Sequence, residues 1–308
     1  MSSRLPSGVL AASLTPFHSD LTLAQDAFGR HVRWLLANGC DGTLLFGTTG
    51  EGLSLTVDER AKGLNTLLAA GLSAERLLVG TGALALPDAV QLTQTATAQG
   101  VGGVLVLPPF HFRQIRSEGI FRFYDRLIQR VGDDALRLYF YHFPELSGVP
   151  IPFSVIQRLQ DAYPEQIAGI KDSSGEWDHT EALCRDFPDL QVFSGTERLL
   201  LPVLNAGGAG CISATANVTA ALAAQVLADW QDDTDPESTQ EELTALRTAF
   251  APVPTIPALK HLLALRHRNP DWSTARPPLA PLTEKETTTV NEIADRLQES
   301  VDLPGSFR

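Results

Sequence analysis

Eight short apolar runs alternate with longer stretches of helical character along the whole chain, and this alternation constrains the fold more than any other feature. The runs cover residues 8–14, 42–46, 77–80, 103–107, 138–141, 167–170, 192–194 and 210–213. Most are continuously apolar, Val104-Leu105-Val106-Leu107 being the clearest, as expected of parallel strands buried on both faces. Helices are predicted between them at 23–38, 56–70, 87–99, 117–131, 152–162, 178–187 and 219–230. The first stops at Gly39. The second opens on the capping box Thr56-Val57-Asp58-Glu59 and stops at Gly71. Eight such repeats predict an α/β fold, a closed (β/α)8 TIM barrel. An open doubly wound sheet is the alternative, but about six strands are more usual there and its Gly-x-Gly-x-x-Gly turn is absent.

Beyond the eighth unit, residues 231–238 are polar and acidic and read as a surface loop. Further helices are predicted at 240–249, 256–268 and 284–299, separated by proline-rich stretches such as Arg276-Pro277-Pro278. The expected organisation is a catalytic barrel over residues 1–230 and a C-terminal helical extension, 231–308, packed on it.

With 308 residues and 44% hydrophobic content, the chain can bury a large core, and barrels of about 250 residues form single domains. A net charge of -12 repels nucleic acid and anionic lipid at long range, so neither is expected as a partner. Three scattered cysteines, Cys40, Cys184 and Cys211, are too few for a disulfide framework or a zinc site. Residues 1–6 show no basic segment leading into an apolar run, and no apolar stretch approaches the ~20 residues of a membrane helix. The expected location is the cytoplasm.

In a barrel of this kind, chemistry sits where the strands end. Polar residues directly after apolar runs therefore outrank polar residues elsewhere, and four places qualify. Gly47-Thr48-Thr49-Gly50-Glu51 follows the second strand, where glycines, consecutive N–H groups and two hydroxyls can cradle a carboxylate, or simply build a tight turn. Tyr141 closes the fifth strand and can relay protons. Tyr139 points to the same side, so alternation leaves the choice between them open and position favours Tyr141. Lys171 closes Ile167-Ala168-Gly169-Ile170. A lysine losing hydration at a barrel mouth favours its free amine, a nucleophile toward carbonyls, although pairing with Asp172 would give it a structural role instead. Last, Ser194-Gly195-Thr196-Glu197-Arg198 follows the seventh strand, with glycines at 207, 208 and 210 around the eighth.

Taken in order, Leu14-Thr15-Pro16-Phe17, the turn from Gly47 to Glu51, Tyr141-His142-Phe143-Pro144, Gly169-Ile170-Lys171 and Ser194-Gly195 resemble the dihydrodipicolinate synthase / N-acetylneuraminate lyase family of class I pyruvate-dependent enzymes. The resemblance runs from Gly8 to about Thr283. It implies that Lys171 is the Schiff-base lysine, Tyr141 the proton relay, and Thr48 and Thr49 the holders of the pyruvyl carboxylate, with Thr48 counted among the catalytic groups. It further implies substrate contacts from Ser173, Gly195, Glu197, Arg198 and Ile212, a homo-oligomer, and chemistry through an imine without metal or other cofactor.

Three departures bear on the substrate. Members that make dihydrodipicolinate carry an arginine at the place of Leu146, whereas the neuraminate lyases have the Leu-Ser-Gly seen here as Leu146-Ser147-Gly148; a leucine cannot grip a carboxylate. His111 stands in the region that supplies an inter-subunit tyrosine. Arg198 follows Glu197 where neuraminate lyases bind sugar hydroxyls with two acids, and would meet an anionic or strongly polar end of the substrate. The expected function is a Schiff-base lyase or aldolase acting on pyruvate and a 4-hydroxy-2-oxo acid or 2-keto-3-deoxy sugar acid. The alternatives are a synthase condensing pyruvate with aspartate semialdehyde, a keto-deoxy acid dehydratase, and a metabolite-binding barrel without activity.

Overall fold

The computed structural model describes residues 6–300; the segments 1–5 and 301–308, and with them most of the stretch in which no leader was seen, lie outside the described residues. Eight parallel strands follow the chain in order: β1 (Gly8–Ala12), β2 (Gly42–Leu45), β3 (Leu77–Gly80), β4 (Gly103–Val106), β5 (Leu138–His142), β6 (Ile167–Asp172), β7 (Gln191–Ser194) and β8 (Gly210–Ser213). They pair in sequence order and close into a barrel, the predicted fold. All lie at or within a residue or two of the apolar runs that announced them, and nearly every strand residue is buried.

The helices are α1 (Gln25–Ala37), α2 (Val57–Ala69), α3 (Leu86–Ala98), α4 (Ser117–Val131), α5 (Pro144–Ser147), α6 (Phe153–Ala162), α7 (Trp177–Asp186), α8 (Leu200–Asn205), α9 (Ala216–Asp232), α10 (Pro236–Ala249), α11 (Thr255–His267) and α12 (Glu284–Ser300). The capping box at α2 forms as predicted: Glu59 N–H donates to Thr56 Oγ1 at 3.1 Å and Thr56 N–H to Glu59 Oε2 at 2.9 Å. The predicted loop at 231–238 is a correction. Helix α9 runs on to Asp232 and α10 already starts at Pro236, because proline suits the first helical turn and Asp235 caps Ser238 N–H at 3.3 Å. Helix α1 starts two residues later than predicted, since Leu23 bridges Phe17 instead. The single turn α5 and the six-residue α8 were not foreseen; both are too short for a helical period to show.

The chain divides into two compact units. One comprises Leu55–Gly195 and Pro202–Cys211. Its ladder runs from β3 to β8, with Leu105 opposite Tyr139, Tyr141 opposite Lys171, and Lys171 opposite Phe193. The other comprises Gly8–Ser54, Thr196–Leu201 and the chain from Ile212 onward, so it contains β1, β2 and the C-terminal helices. Asn217 organises it: its Oδ1 accepts from Leu14 N–H and His31 Nε2, and its Nδ2 donates to Ala12 and Ala214 carbonyls. Gln240 of α10 binds the main chain at Leu201 N–H and Glu197 C=O, both at 3.0 Å, which ties the extension to the segment after β7.

Burial keeps three histidines neutral. It drives His31 down to about 3, against the hydrogen bond to Asn217, and His142 and His267 each to about 4. The unfolded chain protonates them near 6.5, so as pH falls from 6.5 toward 4 it takes up protons that the folded protein refuses. Stability from these groups is therefore full above 6.5 and is lost on acidification. Urea midpoints should fall steadily between pH 7 and 4.5, with about one proton fewer in the dependence for His31→Gln; a midpoint flat over that range contradicts this account.

Candidate active site

Each sequence-predicted residue lies on or just after the C-terminal end of a barrel strand, except His111. In the first unit, the ladder registers Tyr141 with Lys171 on one face and His142 with Asp172 on the other. Lys171 is 5% exposed, and its Nζ lies 4.6 Å from the centroid of the Tyr141 ring. Tyr139, the rival relay, lies two residues deeper: its hydroxyl donates to Gln191 Oε1 at 2.5 Å, and its ring fills the space left by Gly103 and Gly169. A Cβ on Gly169 would approach that ring to 2.7 Å, so Tyr139 is a packed core residue and Tyr141 the one beside the lysine.

Asp172 does not pair with Lys171. Its carboxylate accepts from Ser174 N–H at 3.0 Å, Thr180 Oγ1 at 2.7 Å and His179 Nδ1 at 3.0 Å. Burial opposes its charge, but these donors outweigh it and hold the group below the usual carboxylate range. Ser173 N–H donates to His142 C=O at 2.7 Å and Gly195 N–H to Asp172 C=O at 2.6 Å, extending the ladder past the strand ends. A side chain at 195 would collide with Ser173, so glycine is required for these two loops to meet.

In the second unit, Gly47-Thr48-Thr49-Gly50-Glu51 leaves β2 as a sharp turn flanked by Phe46 and Glu51, both at positive φ (54° and 53°). Glu51 N–H returns to Thr48 C=O at 3.1 Å and Gly52 N–H to Gly47 C=O at 3.0 Å. Thr15 Oγ1 donates to Gly50 C=O at 2.7 Å, and a Cβ on Gly50 would come within 2.7 Å of the Ser13 carbonyl. Thr49 is buried and Thr48 half-buried. The glutamate fastens this turn from below. Its carboxylate forms an ion pair with Lys260 and accepts Arg276 N–H at 2.8 Å, while Lys260 donates to Thr274 C=O at 2.6 Å. Both cations also lie over the Phe17 ring, Lys260 at 4.5 Å and Arg276 at 4.7 Å. Arg276 Nη1 reaches Ser54 C=O at 2.6 Å, closing the far end of the turn.

Glu197 is fully buried and accepts hydrogen bonds from Ser213, Thr215 and Thr219. Burial raises its carboxyl above the usual range despite these hydroxyls. It can turn to a ligand only by giving up those partners. Arg198, next in the same turn, is exposed, and Ile212 is wholly buried in β8. His111 lies exposed in the connection after β4, at φ 76° against the Phe112 ring, and Leu146 is half exposed on α5. All three cysteines are buried, and none is in a disulfide. The His179–Asp172 contact and the Lys260–Glu51 pair escaped the reading of the sequence; the one available signal was Glu51 itself, an acid directly behind the threonine pair.

Residues 5–297 match the dihydrodipicolinate synthetase family. A protein of Chloroflexus aurantiacus named an uncharacterised DapA-like lyase is 35% identical over 295 residues, 95% of this chain and 97% of that protein. A 4-hydroxy-tetrahydrodipicolinate synthase of Acidiphilium cryptum is 31% identical over 284 residues, covering 90% of this chain and 93% of its own. Among solved structures, a dihydrodipicolinate synthase from Agrobacterium tumefaciens aligns with a TM-score of 0.84 at 31% identity, over 94% of this chain and 99% of that one. A sialic acid aldolase from Ruminococcus gnavus has the same fold, with a TM-score of 0.86 at 16% identity and 96% of each chain covered.

Proposed function

Because the chain belongs to the dihydrodipicolinate synthetase family of pyruvate-dependent lyases and aldolases, we propose that Lys171 forms the family's Schiff base, joining the carbonyl carbon of pyruvate or a related 2-oxo acid. The observation that carries this reading is the buried amine at the end of β6, 4.6 Å from the Tyr141 ring and free of its sequence neighbour Asp172. The lysine nitrogen attacks the carbonyl, and the resulting carbinolamine loses water, taking a proton through the Tyr141 hydroxyl. Tyr141, left as the phenolate, takes the proton of the substrate's 4-hydroxyl while the iminium accepts the electron pair of the breaking carbon–carbon bond, giving an aldehyde and an enamine; the phenol then protonates the enamine carbon, and hydrolysis releases pyruvate, restores the amine and returns the proton to Tyr141. Thr48 and Thr49 hold the carboxylate of the 2-oxo acid.

The favoured substrate is a 4-hydroxy-2-oxo acid or a 2-keto-3-deoxy sugar acid, with exposed Arg198 meeting its polar end and Ser173, Gly195 and Ile212 lining the way. Glu197 joins the contact set only if its three hydroxyl partners release it. The synthase reading is favoured by the names of several relatives, and opposed by Leu146, whose side chain offers no cation to a second carboxylate. We assign the protein to the cytoplasm as a homo-oligomer with His111 at a subunit contact. Incubation with pyruvate and reduction by borohydride should add one pyruvyl group, which mass spectrometry of a digest locates on Lys171. No adduct, or one on another lysine, rejects the mechanism.

A further inference from the structure

The outer face of the β5–β6 ladder carries a second set of interacting side chains directly behind the reacting pair. Tyr141 and Lys171 are register partners, and so are His142 and Asp172, one residue further along each strand. Strand alternation turns the second pair away from the first, toward the helices. There His179, in the first turn of α7, touches both strands. Its Nδ1 lies 3.0 Å from Asp172 Oδ2, and its ring stacks on that of His142 with centroids 4.3 Å apart and planes 16° from parallel. The Phe153 ring closes its other side at 5.2 Å.

These three residues also have the spacing of metal ligands, lying within 4.8 Å of one another, but their hydrogen bonds assign them otherwise. His142 Nδ1 accepts Ile151 N–H at 3.2 Å, so its Nε2 carries the ring proton and has no lone pair to offer. His179 Nδ1 faces an ionised carboxylate and is a donor. His142 in that tautomer cannot ligate, Asp172 is taken up by its three donors, and rings stacked face to face do not aim their in-plane lone pairs at one point.

We propose that His179 is a positioning residue for the imine-forming pair: by bonding Asp172 and stacking on His142, it couples the ends of β5 and β6 and so sets how Tyr141 is presented to Lys171. The proposal rests on the reading of Lys171 as the nucleophile. Lys171 and Asp172 share a peptide bond, as do Tyr141 and His142, so a shift at the outer contacts passes directly to the inner pair. The neighbouring main-chain bonds, Ser173 N–H to His142 C=O and Gly195 N–H to Asp172 C=O, hold the strand ends in line, and the side-chain contacts of His179 add a second tie between them on the outer face.

Two substitutions separate its two contacts. His179→Phe keeps a ring against His142 and loses the donor to Asp172; His179→Asn keeps an N–H in nearly the same place and loses the stack. Single-turnover trapping with pyruvate and borohydride gives the rate of imine formation, and steady-state assays of pyruvate exchange give kcat and KM. Both variants should form the Lys171 adduct about tenfold more slowly per folded molecule, with kcat falling by a similar factor and the KM for pyruvate nearly unchanged. A merely structural role would lower the folded fraction, leaving the rate per folded molecule as it was. That outcome, or unaltered rates in both variants, overturns the proposal while the Lys171 reading stands. Absence of any adduct in the unsubstituted protein overturns both.

Discussion

Replacing Lys171 by alanine should abolish the pyruvate adduct and lower turnover by about 10⁴-fold or more, while leaving the protein folded. The size of the effect follows from the proposed chemistry: the bond to the carbonyl carbon is lost with the amine, and without the iminium the carbanion has nowhere to place its electrons. The stability of the variant follows from structure. Among the described residues Lys171 makes no ion pair, and Asp172 keeps its three donors from Ser174, Thr180 and His179. Removing the lysine therefore strands no buried charge, and Tm should move by only a few degrees. Lys171→Arg is the sharper control. It keeps a cation over the Tyr141 ring but cannot lose a proton near neutral pH, so it should be as inactive as the alanine variant. Activity in either variant, or an adduct elsewhere in Lys171→Ala, refutes the assignment.

The second large effect is expected far from the lysine, at Glu51. Its carboxylate and the Lys260 ammonium are each about 1% exposed, and each is the other's counter-ion. Burial pushes the lysine down from its ordinary value, opposed by Glu51, which shows how much that charge depends on its partner. Among the described residues, Glu51→Ala leaves the buried ammonium only the Thr274 carbonyl and the face of Phe17, at a cost of about 3–5 kcal/mol. For a protein of this size that is a fall of roughly 6–10 °C in Tm. The turn bearing Thr48 and Thr49 also loses its hold on Arg276 N–H, so the KM for pyruvate should rise. Glu51→Gln combined with Lys260→Met removes both charges together and should recover most of the stability, because the desolvation cost goes with them. If Glu51→Ala unfolds within about 1 kcal/mol of the parent, or the double variant is no better than the single, the buried pair does not have this role.

The barrel was legible because parallel strands buried on both faces need uninterrupted apolar residues, and β4 and the first four residues of β6 show them plainly. The start of α2 was legible because its cap is written in four consecutive residues. Where signals spread over a few residues conflicted, the reading erred: the acidic composition after α9 suggested a loop, yet Asp235 and Pro236 there begin a helix. At the candidate site, Lys171 stood out as a cation closing an apolar run, but the choice between Tyr139 and Tyr141 could not be made from period alone. It was made by Gln191 and by the glycines around the Tyr139 ring, which come from three other strands.

The sequence by itself determined the number and order of strands, the places where polar groups meet strand ends, and the position of a lysine at the close of an apolar strand, where an amine can attack a carbonyl. Each of these depends on residues close together in the chain, where side-chain period and capping act. The tertiary structure alone decided that Asp172 binds His179 rather than Lys171, that Glu197 is enclosed by three hydroxyls, and that Glu51 is neutralised by Lys260 from the far end of the chain. Those outcomes turn on register and helix docking, which bring distant charges into water-poor surroundings where each must find a partner or forfeit its hydration.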